Sequence, residues 1–339
     1  MPEILAVEPF IETQGTIIDV RSPAEYAKGH IPLAINIPLF TNAERSEVGT
    51  TYKQVGVQEA INLGLSIIEP QIPHLISKAR ETLKGQPAKV HCWRGGMRSS
   101  SVAELLELTG TTSSTLEGGY KSFRNWALEN LQKPRKLRVI GGLTGSNKTH
   151  ILHALESMGE QVLDLEGLAN HRGSAFGKVG EQPTSEQFEN NIAIKWASFS
   201  TEKPVWVEDE SRLIGFCSIP KNIFNGMQAA PLFKIDVPLS ERHSNLEKDY
   251  GNFEIASVME STQRLSKKLG GLRTKGILSL IESGDYLKAG KMVLEYYDKA
   301  YQYSLSKRKQ PISTLTAHGL SPHQWAHKIL QFSKYDSWH

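Results

Sequence analysis

Two short stretches of this 339-residue chain place reactive residue types at spacings that chemistry needs. The first is Val90-His91-Cys92-Trp93-Arg94-Gly95-Gly96-Met97-Arg98-Ser99-Ser100-Ser101. Ala88 to Val90 reads as a strand and Ser99 to Leu108 as a helix, so a Gly-rich turn opening on a cysteine lies between them. A sulfur in such a turn faces backbone N–H groups and the positive end of the helix dipole, and Arg94 and Arg98 add two cations. All of these favour thiolate over thiol, so Cys92 is expected to be a nucleophile near neutral pH. The same cradle would hold an oxyanion above the sulfur, with Arg94 and Arg98 as its counter-charges.

The second stretch is Gly141-Gly142-Leu143-Thr144-Gly145-Ser146-Asn147-Lys148-Thr149. From Gly142 it follows the phosphate-loop pattern G-x-x-x-x-G-K-[ST], except that Asn147 stands where the second Gly belongs. Asn tolerates the left-handed backbone better than any other side-chain-bearing residue, so the loop is expected to survive. Leu137 to Ile140 reads as the strand before it and Thr149 to Ser157 as the helix after it. Gly142, Thr144, Gly145 and Ser146 would then offer amides to a di- or triphosphate. Lys148 would neutralise it, and Thr149 is placed to ligate Mg²⁺.

Other elements have to bring partners to these loops. Gln161 to Glu166 reads as a strand, and the polar loop after it offers Arg172 and Ser174 as phosphate contacts at a strand's carboxyl end. Pro204 to Val207 is an apolar strand ending in Glu208, Asp209 and Glu210, any of which suits a metal-facing carboxylate. Leu232 to Val237 is a further strand, and Arg242 in the helix after it is placed to reach phosphates from a lid. In the first half, Thr16 to Arg21 reads as a strand, and Ser22, Pro23 and Glu25 form a helix-start box. Asp19 is placed to orient the arginines of the anion loop. Phe40 to Ile68 reads as a long connection containing one helix, Val57 to Leu65, and Gln71 to Leu83 as an amphipathic helix. The basic, Pro-containing run Gln132 to Arg138 divides a first domain (1–131) from a second (137–339).

From Phe253 onward the pattern is helical (Ile255 to Leu269, Arg273 to Ser283, Tyr286 to Ser306). Lysines and arginines, among them Arg273, Lys291, Lys307 and Arg308, interleave there with Tyr296, Tyr297, Tyr301 and Tyr303, the best RNA-facing candidate in the chain. Net charge is only +3, so any nucleic-acid surface must come from such clustering. Two cysteines cannot make a disulfide framework and point to a reducing compartment; Cys217, among apolar neighbours, reads as packing. Neither a secretory signal nor a membrane-length apolar run is visible, so a cytoplasmic protein without membrane contact is expected, working as a monomer.

Asp19-Val20-Arg21-Ser22-Pro23-x-Glu25-Tyr26-x-x-Gly29-His30-Ile31-Pro32, followed by strand, Cys92 loop and helix, resembles a rhodanese domain. That resemblance implies an α/β domain whose loop cysteine carries a transferable sulfur or selenium. Sulfurtransferase loops usually span six residues, whereas Cys92 to Arg98 is Cys-x5-Arg, as in the related rhodanese-like phosphatases, with room for a phosphate or selenophosphate. A rhodanese domain fused to a P-loop domain resembles the tRNA 2-selenouridine synthase family. Gly118-Gly119-Tyr120-Lys121, the stretch from Leu165 to Ser174, and Glu208-x-Glu210-Ser211 carry the match further. The implied fold is an N-terminal rhodanese-like α/β domain, then a P-loop parallel-sheet α/β domain with a helical C-terminal region facing RNA. The implied substrate is tRNA with 2-thiouridine at the wobble position. Its sulfur would be geranylated from geranyl diphosphate, then replaced by selenium that Cys92 takes from selenophosphate, with Mg²⁺ a candidate cofactor and a selenophosphate-supplying enzyme as partner. Two other classes fit the same motifs: a cysteine phosphatase built on Cys92 and Arg98, and a P-loop kinase or NTPase with a regulatory rhodanese domain.

Overall fold

The computed structural model describes residues 1–171, 181–250, 259, 262–263 and 266–335. Arg172, Ser174 and most of the helix expected from Ile255 lie outside the described residues. The chain divides into two units, 1–130 with 189–194, and 131–188 with 195–339. Each is built on a five-stranded parallel sheet.

In the first unit the strands are β1 (Glu3–Leu5), β2 (Thr16–Asp19), β3 (Ile35–Asn36), β4 (Ala88–His91) and β5 (Ser113–Leu116), in spatial order β1-β5-β4-β2-β3. Every residue of β4 is buried, as a strand covered on both faces requires. Ile18, Val90, Leu75, Leu83, Val102 and Leu106 pack into one core between this sheet and its helices. Each such fully buried side chain contributes roughly 1.5–3 kcal/mol. The box at Ser22 forms as expected, with the hydroxyl capping Glu25 N–H and the Glu25 carboxylate returning to Ser22 N–H. The connection from Phe40 holds two helices, Asn42–Gln54 and Val57–Ile68. The first starts at a second such box, Thr41 with Glu44.

In the second unit the sheet contains β6 (Leu137–Gly142), β7 (Gln161–Leu163) and β8 (Val205–Glu208), then β11 (Leu232–Asp236) and β12 (Ile312–Thr316). The spatial order is β12-β11-β6-β8-β7. A small antiparallel pair, β9 (Leu213–Ile214) and β10 (Cys217–Ser218), lies outside it. No strand intervenes between β6, which feeds the phosphate loop, and β8, which ends in the acids. The C-terminal region is not helical throughout. After the helix Tyr286–Ser306 the chain returns to the sheet as β12, and the helix Pro322–Tyr335 places Trp325 and Ile329 in the main core with Ile151, Leu155 and Phe233. Among the described residues no helix is long and apolar enough to cross a membrane.

Candidate active site

Cys92 is the first residue beyond β4, and the helix Met97–Leu108 begins five residues later. The turn between them is held from below by the Gly118–Gly119 turn. Tyr120 N–H donates to the Cys92 carbonyl (2.8 Å) and Lys121 N–H to that of Trp93 (3.0 Å). Gly95 and Gly119 have φ of +63° and +62°, and a Cβ on either would collide with backbone of the other turn. This close approach explains the glycines at both places.

Cys92 is 3% exposed, and its sulfur lies 3.3 Å from the Ser99 hydroxyl, which also reaches the Gly96 carbonyl at 3.0 Å. Burial works against ionisation of Cys92. The Ser99 hydroxyl, the Arg98 guanidinium and the N–H groups of Arg94 and Gly96 outweigh it, so the thiol's pKa lies below its ordinary value. The two arginines therefore differ. Arg98 acts through its charge and is held by Glu25 at 3.3 Å, while the Arg94 side chain is exposed and only its N–H serves the sulfur. Asp19 does not orient either of them. It grips the fully buried Arg21 (2.6 Å), whose guanidinium lies 3.8 Å from the centre of the Tyr120 ring. Burial raises the Asp19 pKa, but His91 and Arg21 more than reverse this and hold it low.

In the second unit Asn147 adopts φ 61°, ψ 29°, the left-handed conformation that a Gly would otherwise supply. Ser146 Oγ donates to Leu143 O (2.7 Å) and Lys148 Nζ to Gly142 O (3.1 Å), closing the loop on itself. Thr149 Oγ1 donates to Glu166 Oε2 at 3.2 Å. Glu166, Glu208 and Glu210 bring carboxylate oxygens within 4.8 Å of one another, and the buried Glu208 Oε1 has no hydrogen-bond partner. Burial and the Glu166 charge raise the Glu208 pKa to about 8, against the pull of Lys148. Burial, Glu166 and Glu208 raise the Glu210 pKa well above its ordinary value. Such a set of oxygens beside a threonine hydroxyl suits a small hard cation.

This ranks the three acids at the end of β8. Asp209 instead pairs with Arg308 (3.0 Å) and accepts from Tyr301 (3.0 Å), whose oxygen in turn accepts from Gly142 N–H at 2.9 Å. Arg242 likewise does not reach for phosphate. It is 3% exposed, bound to Asp298 through two nitrogens (2.9 Å), and donates to Thr144 O at 3.0 Å. Asn245 holds Gly145 O at 2.9 Å, so one helix fixes both carbonyls of the loop's tip. Gly142, Thr144, Gly145, Lys148 and Thr149 line a cleft of about 1060 Å³. Phe224, Leu246, Tyr296, Tyr297 and Ala300 line the same cleft. Ser146 is buried beneath it at 1% exposure.

Known proteins match this arrangement in both parts. Residues 135–328 match the model of the tRNA 2-selenouridine synthase AAA domain, and residues 6–125 that of the rhodanese-like domain. Proteins named tRNA 2-selenouridine synthase from Sulfurovum sp., Aeromonas salmonicida and Hydrogenovibrio crunogenus are 35%, 34% and 33% identical. The matches cover 92%, 87% and 86% of this chain and 94%, 89% and 90% of theirs. The chain belongs to the tRNA 2-selenouridine synthase family.

Within this family member, several contributors to the sites went unread in the sequence. The Gly118–Gly119 turn carries part of the family match in the sequence, and its support of the cysteine loop appears only in the fold. Glu166, expected at a strand end and within the stretch that resembles the family, lies in the short helix Leu165–Leu168, and no local signal marks it for the acid cluster. In the C-terminal region base and aromatic part company: Tyr296 and Tyr297 face the cleft, Tyr301 is tied to the phosphate loop, and Arg308 is 3% exposed. Tyr303, 63% exposed with Lys307 Nζ 4.1 Å from its ring centre, keeps both features on the surface.

Proposed function

We propose that this chain replaces the sulfur of 2-thiouridine at the tRNA wobble position with selenium from selenophosphate, through an S-geranyl intermediate made from geranyl diphosphate. One observation carries the prenyl half of this reading. The cleft lined by Lys148 and Thr149 is also lined by Phe224, Leu246, Tyr296, Tyr297 and Ala300. A diphosphate with an apolar tail fits such a cleft at both ends. Sulfur on C2 of a pyrimidine leaves poorly until it is alkylated, which gives the phosphate loop a task without nucleotide hydrolysis. Lys148, Thr149 and the loop amides hold the diphosphate as leaving group while the thio-sulfur attacks the geranyl carbon. Arg172 and Ser174 stay proposed as further contacts to that diphosphate on sequence grounds.

Glu166, Glu208 and Glu210, with the unpartnered Glu208 Oε1 among them, fit Mg²⁺ at the diphosphate end. When bound, such an ion neutralises charge developing on the leaving diphosphate. In the first unit Cys92 meets selenophosphate, with Arg94, Arg98 and the loop amides around its oxygens. We place the reaction in the cytoplasm, supplied by an enzyme that makes selenophosphate.

The test is to incubate the protein with 2-thiouridine tRNA, geranyl diphosphate and selenophosphate, and analyse the digested nucleosides by mass spectrometry. Wild type should give 2-selenouridine, Cys92→Ala should accumulate the geranylated nucleoside, and Lys148→Ala should give neither. Unchanged tRNA together with Cys92-dependent phosphate release from an aryl phosphate would replace this reading with the phosphatase one.

A further inference from the structure

Selenium must reach the nucleoside at the oxidation level of selenide, and this limits which atom of selenophosphate Cys92 can attack. Attack on selenium would form an S–Se bond and leave the P–Se electron pair on phosphorus, which would depart as phosphite. The selenium in that bond would need two further electrons before it could end as the C2 selenium. A second thiol near the first can supply them by closing a disulfide. This chain has only one other cysteine, Cys217, which is 0% exposed in the second unit, lies 3.5 Å from the Pro183 carbonyl, and has its pKa raised by burial.

We propose that Cys92 attacks the phosphorus of selenophosphate, so that the loop is a phosphoryl acceptor that liberates hydrogen selenide for the tRNA. The inference rests on selenophosphate being the donor, as read above. The step balances without an oxidant or reductant. Cys92–S⁻ and HSe–PO₃²⁻ give Cys92–S–PO₃²⁻ and HSe⁻: the S–P bond forms and the P–Se bond breaks with its pair on selenium. HSe⁻ is stable as an anion near neutral pH and leaves without a proton donor. Water then attacks phosphorus, the S–P bond breaks, H₂PO₄⁻ departs and the thiolate returns. HSe⁻ adds at C2 of the S-geranylated nucleoside, its proton passes to N3, and geranyl thiolate leaves.

The geometry of the loop matches both halves. Five residues separate Cys92 from Arg98, and the N–H groups of Arg94 and Gly96 bond to the sulfur, which puts the nucleophile at the base of an oxyanion cup. Arg98 is 21% exposed on the Glu25 carboxylate, to which Arg45 also lies at 3.6 Å, so its guanidinium stays within reach of phosphate oxygens. The Ser99 hydroxyl has two acceptors in range, Gly96 O at 3.0 Å and the sulfur at 3.3 Å. It donates to the carbonyl while the sulfur carries phosphorus and to the sulfur when the thiolate leaves. That places Ser99 as a catalytic residue of the hydrolytic half.

The experiment follows label through one turnover of the full-length protein. Selenophosphate carries radioactive phosphorus in one arm and radioactive selenium in the other, the reaction is quenched in denaturant, and phosphorus NMR identifies what is released. The proposal expects phosphorus label on wild-type Cys92, none on Cys92→Ser, and orthophosphate as the released species. It expects Ser99→Ala to retain phosphorus label longer, with hydrolysis slowed roughly tenfold, the effect of one lost hydrogen bond to a charged group. Selenium label on Cys92 with phosphite released would overturn it while leaving the donor reading intact. Selenophosphate consumption equal in wild type and Cys92→Ser would overturn the step, whereas no consumption by wild type in the presence of geranylated tRNA would sink the donor reading, and this step with it.

Discussion

Replacing Ser99 by Ala isolates what makes Cys92 a nucleophile. Both side chains are buried, so solvent does not screen the contact, and the Ser99 hydroxyl leads the groups that favour the thiolate. A hydrogen bond to a charged group is worth about 1.5–3 kcal/mol. Sulfur is a soft acceptor and the contact is 3.3 Å, so the lower end applies, which corresponds to roughly one pH unit. The wild-type thiol titrates below its ordinary value, so thiolate is present above that depressed pKa and is lost as pH falls through it. Ser99→Ala should move the midpoint of the rate of Cys92 alkylation by iodoacetamide upward by about one unit, and slow alkylation about tenfold below it. Ser99→Thr should restore most of the shift. Cys217, fully buried, serves as the internal control, because unfolding of the variant would expose it as well. An unchanged midpoint in Ser99→Ala, with Cys217 still protected, would refute the assignment of the hydroxyl to the sulfur.

Three other outcomes follow from the geometry. Asn147→Gly should melt within a degree or two of wild type, whereas Asn147→Val should lose roughly 1–2 kcal/mol, because only the valine opposes a left-handed backbone; calorimetric melting distinguishes them. Asp19→Asn leaves Arg21 buried without its carboxylate and should lower stability by about 3–5 kcal/mol in denaturant titration. Lys148→Ala should weaken geranyl diphosphate binding roughly 10–100-fold by titration calorimetry, the range for one charged hydrogen bond, without changing Cys92 alkylation.

The two reactive turns were legible because each is a local event: a strand, a Gly-rich turn and a helix start within about a dozen residues. Asn147 is legible for the same reason, since its left-handed backbone follows from its place in the motif. The ranking of Glu208, Asp209 and Glu210 was not legible from strand alternation, because two of the three lie beyond the strand. β8 ends at Glu208, and Glu210 N–H bonds back to the Glu208 carbonyl at 3.0 Å, so a tight turn past the strand, and not its alternation, brings the two acids together. What no local pattern carries is the clamp on the loop from Tyr301 and Arg242, which are separated from their partners Gly142 and Thr144 by 159 and 98 positions. The return of the chain as β12 was hidden differently. Ile312-Ser313-Thr314-Leu315-Thr316 is rich in β-branched residues, but its two apolar residues are three apart, so no alternation marks it, and it follows a long helical run.

Both sites sit at the carboxyl end of an interior strand, where a helix N-terminus favours an anion, yet their neighbours make them electrically opposite. Beside β4, the strand β2 ends in Asp19, which neutralises Arg21 in the interior, so the charge acting on Cys92 is that of Arg98, itself paired with Glu25. Beside β6, the strand β8 ends in Glu208, and Glu208 and Glu210 meet Glu166 to set three carboxylates beside the Lys148 ammonium. A diphosphate added there meets net repulsion unless a cation or protons arrive with it, and the Glu208 pKa of about 8 registers that tension in the free protein. Chelation of divalent cations should therefore weaken geranyl diphosphate binding by more than tenfold in calorimetry, while the alkylation rate of Cys92 stays the same. Diphosphate affinity indifferent to both divalent cations and pH would mean that the acids do not face the ligand.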